Sequence, residues 1–147
     1  MKKFSFNLES VLGLRKWEEQ RSQQAFAEAA SEVAKLEERI SAAESQATAV
    51  FENWNASSGT RFSRNERLAM IGNAEALQKS RLEAEELLRE ANEKRREAMD
   101  RLKEAVRAKK VVENLKQRRL DDYRAEVERI ETQEVEDAFN SRRRKGI

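Results

Sequence analysis

Between Phe26 and Trp54 an apolar residue returns every three and four positions without a slip. Phe26, Val33, Ile40, Ala47 and Trp54 hold one heptad position and Ala29, Leu36, Ala43 and Val50 the other, so nine of nine sites on this line are apolar. Glu28, Glu32, Lys35, Glu37, Glu38, Arg39 and Glu44 fall elsewhere. A stripe two residues wide in seven reads as the seam of a coiled coil; an amphipathic helix on a globular core is the alternative, and a stripe held for four heptads favours a helical partner.

A second seam supplies one. Leu77, Ala84, Ala91, Ala98, Ala105 and Val112 share one heptad position, with Leu88 and Leu102 at the other. Between the seams, Asn55-Ala56-Ser57-Ser58-Gly59-Thr60-Arg61 is a run of turn formers, and Ser63 with Glu66 has the spacing of a capping box. The pattern therefore predicts an all-α fold: a long two-helix antiparallel coiled-coil hairpin in one elongated domain spanning 1–147. The first helix is expected over about 5–54, the turn over about 55–63 and the second helix over about 64–140. Ser5 or Asn7 is a candidate cap for the first turn. Gly72-Asn73 predicts a break, which would leave a short helical piece before it.

If paired residue numbers add to roughly 128, large residues meet small ones, as ridges in grooves require: Leu36 faces Ala91, Ile40 faces Leu88 and Phe26 faces Leu102. Arg15, Glu19 and Ser22 then fall at the height of Lys109, Glu113 and Lys116. Such a polar layer either fixes register or marks a solvated stretch where the helices splay. Beyond it Leu120, Tyr123, Val127 and Ile130 form a fresh stripe opposite Phe4, Leu8 and Leu12. The same register leaves the second helix overhanging from about Ile130. At about 1.5 Å per residue the helices would be roughly 75 and 100 Å long, which predicts a rod.

Composition agrees with long helices. Of 147 residues 39% are charged and 38% hydrophobic, with no proline, cysteine or histidine. A mean hydropathy of −0.94 excludes a broad apolar core. No apolar run is long enough to span a bilayer and the start is not signal-like, so a cytoplasmic protein is expected. Charge is blocked: Arg101 to Arg119 holds eight basic and two acidic residues, and Asp121 to Asn140 two basic and eight acidic. A basic tail over 141–147 follows, carrying Arg142, Arg143, Arg144 and Lys145. Without aromatic residues interleaved in that tail, no nucleic acid partner is expected.

Candidate chemistry is sparse. Histidine and cysteine nucleophiles are absent, no glycine-rich phosphate loop follows a strand, and a two-helix rod offers no pocket in which one carboxylate is set apart from another. No enzyme activity and no cofactor are expected. Glu28 with Glu32, or Glu134 with Asp137, could touch a cation, but solvated surface acids are the commoner explanation.

The opening Phe4-Ser5-Phe6-Asn7-Leu8-Glu9-Ser10-Val11-Leu12-Gly13-Leu14-Arg15 resembles the start of the FliJ family, small coiled-coil proteins of the flagellar type III export apparatus. Lys110-Val111-Val112-Glu113-Asn114-Leu115-Lys116, then Tyr123, then Glu134 to Asp137, resemble that family's C-terminal helix. The resemblance implies a non-enzymatic protein, similar in fold to the gamma-subunit stalk of rotary ATPases. It would bind the export ATPase FliI, promote assembly of its ring and link it to the export gate protein FlhA, with export chaperones as further partners. Its place would be peripheral, on the membrane-embedded export apparatus at the inner membrane. A virulence type III secretion stalk protein fits the same motifs, and a generic coiled-coil adaptor fits the seams alone. Residues expected to meet partners are Phe4, Leu8, Leu12, Tyr123, Ile130, Phe139, Arg142, Arg143 and Arg144. At the loop end they are Trp54, Phe62 and Leu68.

Overall fold

The computed structural model describes residues 2–56 and 63–146. Two helices account for nearly all of them: α1 over Glu9–Ala56 (48 residues) and α2 over Arg64–Lys145 (82 residues). The expected turn lies mostly outside the described residues, as does Phe62. The capping box at the start of α2 is formed: Glu66 N donates to Ser63 Oγ at 3.1 Å, and Ser63 N to Glu66 Oε2 at 3.3 Å.

Three expectations need correction. Residues 2–6 are not helical; α1 begins at Glu9, after a turn in which Glu9 N donates to the Phe6 carbonyl at 3.2 Å. Asn7 does not cap that turn through its side chain, since its Oδ1 accepts from the Arg119 guanidinium. Nor does α2 break at Gly72-Asn73, because a glycine costs about 1 kcal/mol in a helix interior and the surrounding turns outweigh that. The basic tail is helical too, reaching Lys145, where four cations complement the negative end of the helix dipole.

The chain divides into two compact units. The first joins Met1–Gln20 to Lys103–Ile147. Its core is Phe6, Leu12 and Val112, all buried, with Phe4, Leu8, Val11 and Leu115 packed against them. Here the chain number falls on one side as it rises on the other: Glu19 meets Lys109, Glu9 meets Lys116 and Lys2 meets Tyr123.

The second unit is Arg21–Leu102. Val33, Leu36 and Ala91 are buried together with Leu88 against them, and Ala43, Ala84 and Ala98 are buried as well. This is the large-into-small packing expected of the seams, with Val33 the most enclosed large side chain at 1% exposure. The expected register holds for Leu36 and Ala91. Nearer the end of α1, Glu44 pairs with Arg81 across the helices at 3.2 Å. Toward the end of α1 the seam opens: Ala47 and Trp54 are exposed.

Candidate functional site

The first unit is closed by its own N-terminus. Phe4, Phe6 and Leu8 alternate along the chain, and an extended segment puts alternate side chains on one side. Phe6 is thereby buried, with the Lys116 ammonium 6.0 Å and the Arg119 guanidinium 5.6 Å from its ring centre. The rings of Phe4 and Tyr123 lie 5.5 Å apart at 51°. The Tyr123 hydroxyl donates to the Lys2 carbonyl at 2.7 Å, satisfying a backbone acceptor that no helix reaches.

Next to this clasp lies the polar layer. The Lys109 ammonium sits 2.5 Å from Glu19 and 4.0 Å from Glu113, and the Lys109 and Glu19 side chains are only 23% and 15% exposed. The hydrogen bond to Glu19, reinforced by the charges of Glu19 and Glu113, holds the Lys109 pKa above the ordinary lysine value, against the desolvation that would lower it. Lys116 pairs with Glu9 at 2.8 Å. Farther along α2, Glu126 accepts from Arg129 through both oxygens, at 2.5 and 3.1 Å. This pair lowers the glutamate pKa and raises that of the arginine.

Of the residues expected to meet partners, the structure uses several internally. Leu12 is 3% exposed and belongs to the core, while Phe4, Leu8 and Tyr123 are half-buried in the clasp. Ile130 is half-buried; every described residue from Glu131 onward is exposed. Phe139 is 65% exposed and Val135 69%, large apolar surfaces one helical turn apart, followed by Arg142, Arg143 and Arg144.

The loop end of the second unit carries another apolar surface. Ala43, Ala47, Val50, Phe51 and Trp54 of α1 and Met70, Ile71, Ala74 and Leu77 of α2 line a groove of about 380 Å³, edged by Glu44, Gln78 and Arg81. Trp54 lines it, and Leu68 is exposed nearby in sequence. Phe51 and Ile71 were missed by the seam reading. Both are large apolar residues off the heptad line, and that is the signal that could have found them, because an off-seam Phe in a coiled coil has no internal partner.

Among the described residues no group of three or more acidic side chains is arranged to hold a metal ion. No described helix is long and apolar enough to cross a membrane. What these surfaces offer is association through apolar anchors with charged rims.

In comparison with known proteins, the model of a family described as flagellar FliJ protein matches residues 4–145. Neither the curated proteins nor the solved structures give a significant match.

Proposed function

Because the chain belongs to the FliJ family of flagellar export-related coiled-coil proteins, we propose that it works as a non-enzymatic stalk of the export machinery. In this reading it is an antiparallel two-helix coiled coil that binds the ring of the export ATPase FliI, promotes its assembly and links it to the export gate protein FlhA. It acts from the cytoplasmic side, peripheral to the inner membrane. The observation that carries the reading is the run of exposed residues from Glu131 to Gly146. A helix that continues past its last half-buried residue, Ile130, and still displays Val135 and Phe139 is shaped for another protein. The apolar groove around Trp54 and Ile71 supports a second contact at the loop end, with the gate protein or an export chaperone.

The test is a truncation lacking residues 131–147. It should keep the helical signal and the melting of the rest, since the removed residues make few contacts in the fold, and it should lose binding to the export ATPase and stimulation of its hydrolysis. Full stimulation by the truncated protein would move the working surface elsewhere, with the loop-end groove the next to examine. Neutralising only Arg142, Arg143 and Arg144 should weaken binding in a salt-dependent manner, as rim charges do.

A further inference from the structure

The exposed end of α2 carries its apolar residues on the wrong side for a continued seam. At 3.6 residues per turn each residue advances by about 100°, so Phe139, nine positions after the half-buried Ile130, stands on roughly the opposite side of the helix. Seam positions beyond Ile130 are polar: Gln133, Asp137 and Asn140. The outward line instead reads Glu128, Glu131, Val135, Ala138 and Arg142, spaced by three and four, with Phe139 beside it. That is a new heptad stripe facing away from the first, acidic at one end, apolar in the middle and basic at the other.

Its acidic and basic ends cannot satisfy each other within the helix. Ala138-Phe139-Asn140-Ser141 separates the last acid, Asp137, from the first base, Arg142, by five positions, whereas helical ion pairs form at three or four. Among the described residues, neither Glu128 and Glu131 nor Arg142 and Arg143 form an ion pair. The helix dipole favours bases at this end, but it does not call for an exposed phenylalanine one turn before them.

We propose that this stripe pairs with the same stripe of a second copy, antiparallel, about a two-fold axis near Asp137. In that arrangement Phe139 of each copy rests on Val135 of the other. Glu128 and Glu131 approach the second copy's Arg142 and Arg143. Asp137 itself points away from the contact, so its approach to the axis brings no like-charge clash. The stripe is self-complementary in charge, and an isologous contact uses each complementarity twice. The contact is short, about 22 Å for 15 helical residues, and below the roughly 800 Å² per partner of a standard interface. It is therefore a weak, salt-sensitive dimer, with a Kd between about 1 μM and 1 mM. Since the same residues are offered above to the export ATPase, the dimer and that complex exclude each other. The dimer itself does not depend on that reading, because it is tested on the isolated protein.

Sedimentation equilibrium of the purified full chain at low salt should show reversible self-association that weakens at least tenfold when salt is raised to about 0.5 M. The double variants Glu128→Arg/Glu131→Arg and Arg142→Glu/Arg143→Glu should each be monomeric while keeping the wild-type helical signal. Mixed one to one they should associate again, now as a heterodimer. A wild-type chain monomeric at about 1 mM and low salt overturns the proposal. So does a dimer that survives both reversals, or a mixture that fails to associate. Loss of ATPase binding in the truncation would leave all these outcomes unchanged, so the two readings fail separately.

Discussion

Replacing Gly72 by alanine tests the continuity of α2 directly. Gly72 lies eight residues inside the helix, has no positive φ, and a Cβ added there would meet no heavy atom within 4 Å. No contact is gained or strained, so the effect reduces to helix propensity together with the lost freedom of the unfolded chain, about 1 kcal/mol of stabilisation. Gly13 in α1 has the same open surroundings. It belongs to the other compact unit, so the two substitutions should add to roughly 2 kcal/mol. Each alone should raise the melting temperature by roughly 2–4 °C, read by circular dichroism at 222 nm and checked by urea titration. Gly146 is the control: its added Cβ would lie 3.4 Å from the Arg142 carbonyl, past the last helical residue, and Gly146→Ala should change stability by less than about 0.5 kcal/mol. A neutral or destabilising Gly72→Ala beside a stabilising Gly13→Ala would refute the reasoning. It would mean that the helix does break where the Gly-Asn pair stands.

Leu36→Ala should cost about 2–3 kcal/mol in urea unfolding, because Leu36 is 8% exposed against Ala91 and Val33, whereas Leu82→Ala, at 56% exposure, should cost less than about 0.5. Equal costs would mean that the seam is misassigned. Tyr123→Phe should lose about 0.5–1.5 kcal/mol with the bond to the Lys2 carbonyl and leave the ring packing on Phe4, so Tyr123→Ala must cost more. The raised pKa of Lys109 gives stability that is complete below the unfolded-state lysine value and is lost as pH rises through the higher folded value. The stability difference between wild type and Lys109→Met should therefore shrink in alkali. Glu126 has the opposite sign: its depressed pKa gives stability present above the ordinary glutamate value and lost as pH falls through the folded one. The difference from Glu126→Gln should vanish in acid. A flat pH profile for either difference would remove that pair from the account of stability.

The two seams were readable because burial in a coiled coil is a matter of period. Val33, Leu36, Ala43, Ala84, Ala91 and Ala98 are buried at the positions the heptad assigns them. The period does not say where two helices stop touching, and so it assigns the exposed Ala47 and Trp54 to the seam. The start of the chain was misjudged for a different reason. Phe4, Phe6 and Leu8 recur every second residue, the signature of an extended segment, but their nearness to a long helix suggested more helix. Asn7 shows how a local rule gives way: its side chain could cap the first turn, yet a guanidinium reaches it from α2. The exposed surfaces were only half legible. Phe139 could be marked from sequence as exposed, whereas the groove that Trp54 shares with Phe51 and Ile71 exists only once the helices lie side by side.

The clasp of Phe6 and Leu12 on Val112, and of Lys2 on Tyr123, also has a meaning in time. As the chain leaves the ribosome, the second unit is complete once Leu102 has emerged, and its two halves are joined by a short connection. The first unit cannot form then, since its opening residues must wait, with Phe4 and Phe6 uncovered, for partners about a hundred positions later. Closing so long a loop in an unfolded chain is slow and entropically costly, but a folded second unit shortens the path between the loose ends. The order of synthesis thus sets the order of folding. Until its last third has been made, the newborn protein displays the apolar residues with which it begins, which is the interval in which it most needs protection from other chains.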